Sequence, residues 1–127
     1  MIIETIGDLR DYAKEFLKCL KFFKPAMDLV KTHNELDIFS MLVRGDAYLV
    51  SLEKSAGVIE IINYPRFTAC RIWLAGGDMD ELIDFYPTIH KWAIGKNCQK
   101  LEIFGRKGWE RIHKDHKPTS VLLVKEL

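Results

Sequence analysis

The stretch from Asp37 to Gly77 constrains the fold most strongly, because it is rich in β-branched and aromatic residues and is interrupted by short turn sequences. Turns are expected at Gly45, Gly57 and Pro65. They divide the stretch into the strands of a predicted antiparallel meander: Ile38–Val43, Ala47–Glu53, Val58–Ile62 and Thr68–Leu74. The sequence Arg44-Gly45-Asp46 is interpreted as a hairpin tip and not as an adhesion motif.

Two helices are predicted before the meander. Apolar residues recur at three- and four-residue steps from Leu9 to Phe23, which is the stripe of a half-buried helix, and Asp8 precedes it as a suitable N-cap. Pro25 is expected to stop that helix and to open the next one, which runs to Leu36.

A further helix is predicted at Asp80–Ile94, with Gly95 as its C-cap. Pro87 lies inside this helix and predicts a local irregularity. The remaining predicted elements are a strand at Lys100–Phe104, a short helix at Trp109–Lys114 and a last strand at Ser120–Glu126. Since a helix links the strand ending at Leu74 to the strand at Lys100–Phe104, these strands should be parallel neighbours in a βαβ crossover. The predicted fold class is α+β, with a mostly antiparallel sheet.

Composition limits the classes of function. With 127 residues and 48% hydrophobic content, the chain is predicted to be a single domain spanning residues 1–127. Lys and Arg number 19 against 18 Asp and Glu, so no nucleic acid or membrane partner is predicted. The 3 cysteines are far apart and form no metal-type pair, and no apolar run resembles a signal peptide or a membrane span. These features predict a cytoplasmic protein.

The sequence LEIFGRKGWERIHKD concentrates cationic and aromatic residues next to glycines. Arg106, Lys107 and Arg111, together with Trp109, could bind a phosphate, a carboxylate or a partner protein. The alternative is that the arginines pair with neighbouring glutamates and only stabilise the corner. Both interpretations stay open at the level of sequence.

Other candidate groups give weaker signals. Glu60 and Glu102 alternate with apolar neighbours in predicted strands, so each could face a cleft as a base or could face solvent. Tyr64 could donate a proton, but its position predicts a turn residue. His113 and His116 are three residues apart without a third ligand at a fitting distance, so no metal site is predicted.

Several motifs resemble a known family. The sequences VIEIINYPR, RIWLAGG, IHKWAIGKNC, LEIFGRKGWER and VLLVKEL occur in the same order and spacing as in a family of small proteins from tailed bacteriophages and prophages. That family is similar to the GNAT superfamily of acyl-CoA N-acyltransferases. The resemblance covers about Val58 to Leu127. It implies a GNAT-like fold, in which acyl-CoA lies where the fourth and fifth strands part, and a location in the host cytoplasm or in the virion.

The resemblance also implies a cofactor loop. The GNAT loop, usually Gln/Arg-x-x-Gly-x-Gly/Ala, holds the CoA pyrophosphate on backbone N–H groups at a helix N-terminus. Its counterpart here begins at Trp73 in place of Gln or Arg, and its last position is Asp78 in place of Gly or Ala. The implied cofactor-binding residues are Leu74, Ala75, Gly76, Gly77, Asp78 and Met79.

Asp78 weakens this cofactor assignment. With Glu81 it forms a D-x-x-E capping pattern that could satisfy the helix N–H groups, and Asp80 adds negative charge at the same end. Two functions therefore remain. One is an N-acetyltransferase that uses acetyl-CoA, with Glu60 or Glu102 as the catalytic base. The other is a non-enzymatic phage accessory or virion-associated module that binds a phage or host protein. The sequence does not determine the oligomeric state.

Overall fold

A computed structural model describes residues 1–105, Trp109 and residues 114–127. The elements, in chain order, are β1 (Ile2–Ile3), α1 (Leu9–Val30), α2 (Glu35–Arg44), β2 (Tyr48–Ser51), β3 (Ser55–Asn63), β4 (Thr68–Gly77), α3 (Met79–Gly95) and β5 (Lys100–Ile103).

The strands form a 5-stranded sheet in the order β1-β2-β3-β4-β5. Neighbouring strands from β1 to β4 are antiparallel, whereas β5 runs parallel to β4. The chain between β4 and β5 forms α3. The predicted crossover and the α+β fold class are therefore confirmed.

The first helix is longer than predicted. Asp8 is its N-cap, as expected, and accepts a hydrogen bond from the Asp11 N–H at 3.0 Å. The helix then continues through Pro25 to Val30, and its C-cap is Lys31, which has a left-handed φ of 57°. Phe23 and Met27 are buried on either side of the exposed proline, so core packing holds the helix across the hydrogen bond that proline removes. The predicted break at Pro25 is wrong.

The segment predicted as the first strand of the meander, Ile38–Val43, lies in α2. Asn34 and Asp37 form a capping box, in which each side chain accepts a hydrogen bond from the other residue's N–H, at 2.8 and 2.9 Å. Gly45 is the C-cap, with a φ of 82°, so it does not form a hairpin tip. These flanking caps outweigh the β-branched and aromatic composition that predicted a strand.

Other predicted boundaries also change. Gly57 lies within β3 and not in a turn. A Cβ at this position would be 2.6 Å from the Leu74 carbonyl oxygen of β4, so glycine allows the two strands to approach closely. Lys96, and not Gly95, is the C-cap of α3. The predicted last strand, Ser120–Glu126, forms no strand in the structure. The predicted helix at Trp109–Lys114 lies outside the described residues except at its two ends.

Hydrophobic side chains cover both faces of the sheet. On one face, α1 and α2 pack Phe23 and Ile38 against Leu49, and all three are fully buried. On the other face, α3 packs Ile89 and Ala93 against the sheet. The sheet is therefore a central layer, and its strands position groups toward one helical layer or the other.

Candidate functional site

The parallel strands β4 and β5 separate part of the way along their length. They pair from Ala69 opposite Lys100 to Ile72 opposite Ile103, and the Phe104 N–H donates to the Ile72 carbonyl oxygen at 2.9 Å. Beyond Ile72, β4 pairs with β3 alone among the described residues and continues to Gly77. The two strands thus open into a cleft at the carboxyl end of the sheet.

A β-bulge in β4 lies at the point where the strands part. Ile72 is opposite Ile59 and Leu74 is opposite Val58, so Trp73 is an extra residue in β4. Its side chain is only 7% exposed and packs into the core under α1 and α2. The bulge therefore opens the cleft while the strand stays anchored.

The cleft contains a small apolar cavity of about 110 Å³. It is enclosed by the C-terminal part of α1, by β4 around the bulge and by the residues after β5. The lining residues are Ala26, Leu29, Val30, Ile72, Trp73, Leu74, Ala75, Ile103, Phe104, Gly105 and Trp109. Such a lining suits an apolar group and not a charged one.

A polar cluster adjoins the cavity on the face of the sheet that carries α1 and α2. Glu60 of β3, Arg71 of β4 and Glu102 of β5 lie directly opposite one another in the strand register. Arg71 Nε donates to Glu102 Oε1 at 3.1 Å, and Arg71 Nη1 lies 3.9 Å from Glu60 Oε1. The Arg71 guanidinium also lies 5.4 Å from the ring centre of Phe104, which lines the cavity. The cluster and the cavity therefore form one continuous cleft.

Tyr64, at the turn after β3, completes the cluster. Its hydroxyl donates to Glu102 Oε1 at 3.1 Å and accepts from Arg71 Nη2 at 2.9 Å. The Tyr64 hydroxyl and Arg71 Nε thus both donate to Glu102 Oε1, so this carboxylate is held in place. Among the described residues, Glu60 has only the longer contact with Arg71, so its carboxylate is less constrained than that of Glu102.

Burial raises the pKa of the Glu60 carboxyl above its ordinary value. The positive charge of Arg71 and the nearby His33 oppose this effect without cancelling it, and Glu102 adds to it. His33 itself packs edge-on against Trp73, with 4.8 Å between the ring centres. Glu60 is thus a desolvated carboxyl beside an apolar cavity, an environment typical of functional acids and bases.

The connection from β4 to α3 is very short, because β4 ends at Gly77 and α3 begins at Met79. The single connecting residue, Asp78, is the N-cap of α3 and accepts from the Glu81 N–H at 3.0 Å. Its own N–H donates to the Lys54 carbonyl oxygen at 2.9 Å. The predicted capping by Asp78 is therefore present.

The Glu81 side chain does not complete a capping box with Asp78. It accepts instead from the Lys54 N–H at 3.0 Å and from the hydroxyl of Ser55, which is fully buried. The carboxylate at the start of α3 therefore ties the helix to the beginning of β3.

The two glycines of this connection are packed tightly against other backbone. A Cβ at Gly76 would lie 1.9 Å from the Phe22 carbonyl oxygen of α1. Gly77 has a φ of 108°, and a Cβ there would lie 2.4 Å from the Lys54 carbonyl oxygen. Glycine is needed at these positions for packing within the fold.

Comparisons with known proteins reveal similarity in structure only. No family model and no curated protein matches the chain. A crystal structure of a probable acetyltransferase has a TM-score of 0.63 at 6% identity, covering 99% of both chains. An aminoglycoside acetyltransferase from an uncultured soil metagenomic sample, in complex with sisomicin, has a TM-score of 0.59 at 10% identity, covering 100% of this chain and 91% of that one.

A GNAT family acetyltransferase from Staphylococcus aureus has a TM-score of 0.58 at 15% identity, covering 99% of this chain and 98% of that one. The chain therefore has a GNAT-like fold. At these identities the likeness shows the fold alone.

Acyl-CoA, the cofactor that such a fold implies, does not fit the start of α3. A bound diphosphate needs free backbone N–H groups at a helix N-terminus and no competing negative charge. Here the N–H groups of Asp78 and Glu81 are already bonded, and the carboxylates of Asp78, Asp80 and Glu81 cluster at the first turn. The implied loop residues therefore form a closed structural connection.

The structure brings some of the predicted site residues together and separates others. Glu60 and Glu102, both predicted as bases, lie on either side of Arg71 in the cleft. Leu74 and Ala75 line the cavity, whereas Gly76, Gly77, Asp78 and Met79 belong to the closed connection.

Among the predicted partner-binding residues, Trp109 lines the cavity. Arg106, Lys107 and Arg111 lie outside the described residues, so their binding role stays a prediction.

Arg71 was missed as a functional candidate. A lone cation inside the apolar strand sequence TACRIWL is the signal that could have identified it. Among the described residues, no group of three His, Cys, Asp or Glu is placed to hold a metal ion. No helix in the described ranges is long and apolar enough to cross a membrane.

The packing of Gly76 predicts that alanine will destabilise the fold far more at position 76 than at position 95. Gly76→Ala should lower the free energy of unfolding by about 1–3 kcal/mol or more, because the new methyl group overlaps the Phe22 carbonyl. Gly95→Ala is the matched control, since a Cβ there meets nothing within 4 Å and alanine favours a helix. Urea unfolding measures both. Equal stability of Gly76→Ala and the wild type would contradict the close packing.

The raised pKa of Glu60 predicts a pH dependence of stability. A carboxyl of this kind favours the folded state below the pKa of the unfolded chain, about 4.3, and this advantage is lost as pH rises through the folded-state pKa. The stability of the wild type relative to Glu60→Gln should therefore fall as pH rises from about 4.3 toward neutrality.

Urea unfolding at a series of pH values checks this expectation. Glu15→Gln is the control, and its stability difference from the wild type should depend on pH in the opposite direction, because a hydrogen bond from Ser51 lowers the pKa of Glu15. The stability of the wild type relative to that variant should rise with pH across the acid range. A wild-type advantage over Glu60→Gln that stays constant or grows with pH would show that Arg71 dominates over burial.

Proposed function

We propose that this chain is a non-enzymatic derivative of the GNAT fold, which uses the cleft between β4 and β5 to bind a protein. The observation that carries the proposal is the closed connection between β4 and α3. The N–H groups of Asp78 and Glu81 are bonded within the fold, Gly76 and Gly77 are packed on α1 and β3, and three carboxylates lie at the first turn of the helix. Each of these features opposes binding of the CoA diphosphate.

The cleft itself suits a protein partner. Its cavity of about 110 Å³ is lined by aliphatic and aromatic groups and can receive one apolar side chain as an anchor. The neighbouring cluster of Glu60, Arg71 and Glu102 supplies charged groups at the margin. A partner that inserts an aliphatic or aromatic side chain and places a hydrogen-bond donor near Glu60 would match both parts.

The resemblance to small phage and prophage proteins supports a specific setting for this function. In that setting the chain is a phage accessory or virion-associated protein, made in the host cytoplasm, and its partner is a phage or host protein. Arg106, Lys107 and Arg111 are neighbours of Trp109 in the sequence, and their charge would favour a partner with acidic groups.

A second candidate function is N-acetyl transfer with acetyl-CoA. One observation favours it: Glu60, with its pKa raised by burial, lies beside the cavity where β4 and β5 part. A carboxyl in this environment could accept the proton of an amine. Glu102 is less suited to this role, because Arg71 and Tyr64 both donate to one of its oxygens.

Titration with acetyl-CoA separates the two functions. If the chain is a binding module, its thermal unfolding should not change up to millimolar acetyl-CoA. An active enzyme at ~100 times its dissociation constant should gain about 2.7 kcal/mol of stability, which would be evident as a raised Tm. Such a shift would overturn the primary proposal.

A charge variant tests whether the carboxylates at the start of α3 exclude acetyl-CoA. The double substitution Asp78→Ser and Asp80→Ser keeps an N-cap hydroxyl and removes two negative charges from the start of α3. If repulsion alone excludes the diphosphate, this variant should show a concentration-dependent shift in Tm. If it shows none, the packing of Gly76 and Gly77 is sufficient to close the site.

Substitution of Leu29 tests the cleft as a protein-binding site. Leu29 lines the cavity but is 60% exposed, so Leu29→Asp should preserve folding and weaken partner binding at least tenfold. Leu17→Asp is the matched control, because Leu17 is also on α1 and is 64% exposed. Binding is measured by titration with the partner captured on the wild-type protein. Equal losses for both variants would exclude the cleft.

A further inference from the structure

The C-terminal segment exposes a continuous apolar run. Val121, Leu122, Leu123 and Val124 are 82%, 76%, 88% and 78% exposed. Residues 116–127 contain no helix or strand, although valine and leucine in such a run favour a buried strand. An exposed run of this kind is unusual in a protein that remains monomeric.

A second and independent feature is the outer edge of β5. This strand pairs with β4 along one edge, and no described residue pairs with its other edge. Leu101 and Ile103 pack against the cluster that includes Ile89 and Ala93 of α3. An edge strand that leaves N–H and C=O groups unpaired is a template for another strand.

We propose that residues 120–127 of one copy pair with the outer edge of β5 in a second copy, and that the exchange is reciprocal. The lengths match, because β5 has 4 residues and the apolar run from Val121 to Val124 is equally long. A strand added at this position would place alternate side chains against the α3 layer, which is apolar, and the others beside Glu102 and Phe104.

The contact of His116 with α3 favours a second copy as the source of the strand. His116 Nε2 lies 3.2 Å from the Tyr86 hydroxyl, and their rings are 5.7 Å apart. This contact fixes the start of the segment on its own domain, while the residues after it extend into solvent. The chain thus presents the segment outward without covering its own β5 edge.

Antiparallel pairing would place the Lys125-Glu126 end of the segment beside Lys100 at the start of β5. Glu126 has the opposite charge to Lys100 and would offset the repulsion between Lys100 and Lys125. Reciprocal exchange of two such segments would bury on the order of 1,000 Å² or more, near the lower limit for a stable interface. A two-fold exchange also pairs both β5 edges and leaves neither open for further growth.

The mass of the full chain in solution is the first test. The dimer should have twice the chain mass of 14.8 kDa by light scattering or native mass spectrometry. The double variant Leu122→Asp and Leu123→Asp should be monomeric. Leu36→Asp, at a residue that is 75% exposed on α2, is the matched control and should remain dimeric. A monomeric wild type, or a dimer that survives the double variant, would overturn the proposal.

Cross-linking of mixed isotopes then tests whether the strands are exchanged. Light and heavy copies of the full chain are unfolded together, refolded and treated with a short lysine cross-linker. Links between Lys100 and Lys125 should join light to heavy chains as often as they join like chains. If these links form only within one isotope class, each segment closes on its own β5, and the proposal fails.

Discussion

The close contact between Gly76, near the end of β4, and the backbone of α1 fixes how the sheet packs on that helix. Gly76 brings the strand against the Phe22 carbonyl, and no residue with a Cβ could take its place without movement of the helix. β4 continues to Gly77, and the single residue Asp78 connects it to α3. The packing of β4 on α1 thus lies directly beside the start of α3.

Much of the architecture could be predicted from local signals. Asp8 and Asp78 cap helices as their positions suggested, and β3, β4, α3 and β5 follow from residue periodicity and the crossover rule. The errors arose where local signals conflicted. The apolar residues of 38–43 favour a strand by composition, but the capping box at Asn34 and the left-handed Gly45 determine a helix. Core packing around Phe23 and Met27 likewise outweighed Pro25.

The candidate site could be predicted only in part. Strand alternation identified Glu60 and Glu102, because the direction of a side chain on a strand follows from its position. Arg71 lies between these two glutamates only because of the register between three strands. No local sequence signal encodes that register. The approach of Gly76 to Phe22 is also a contact between distant parts of the chain. Sequence alone therefore suggested a doubtful cofactor loop, and the structure reduces the connection at that point to the single residue Asp78.

The bulge at Trp73 couples the cleft to the core of the fold. Ile72 and Ala75 face α3 while Trp73 and Leu74 both face α1, so the bulge adds one residue without changing the orientation of those that follow. Loss of that single residue would restore a regular strand with every later side chain on its present face. The Trp73 side chain is also part of the core under α1 and α2, so deletion of this residue would regularise β4 only by leaving a void in that core.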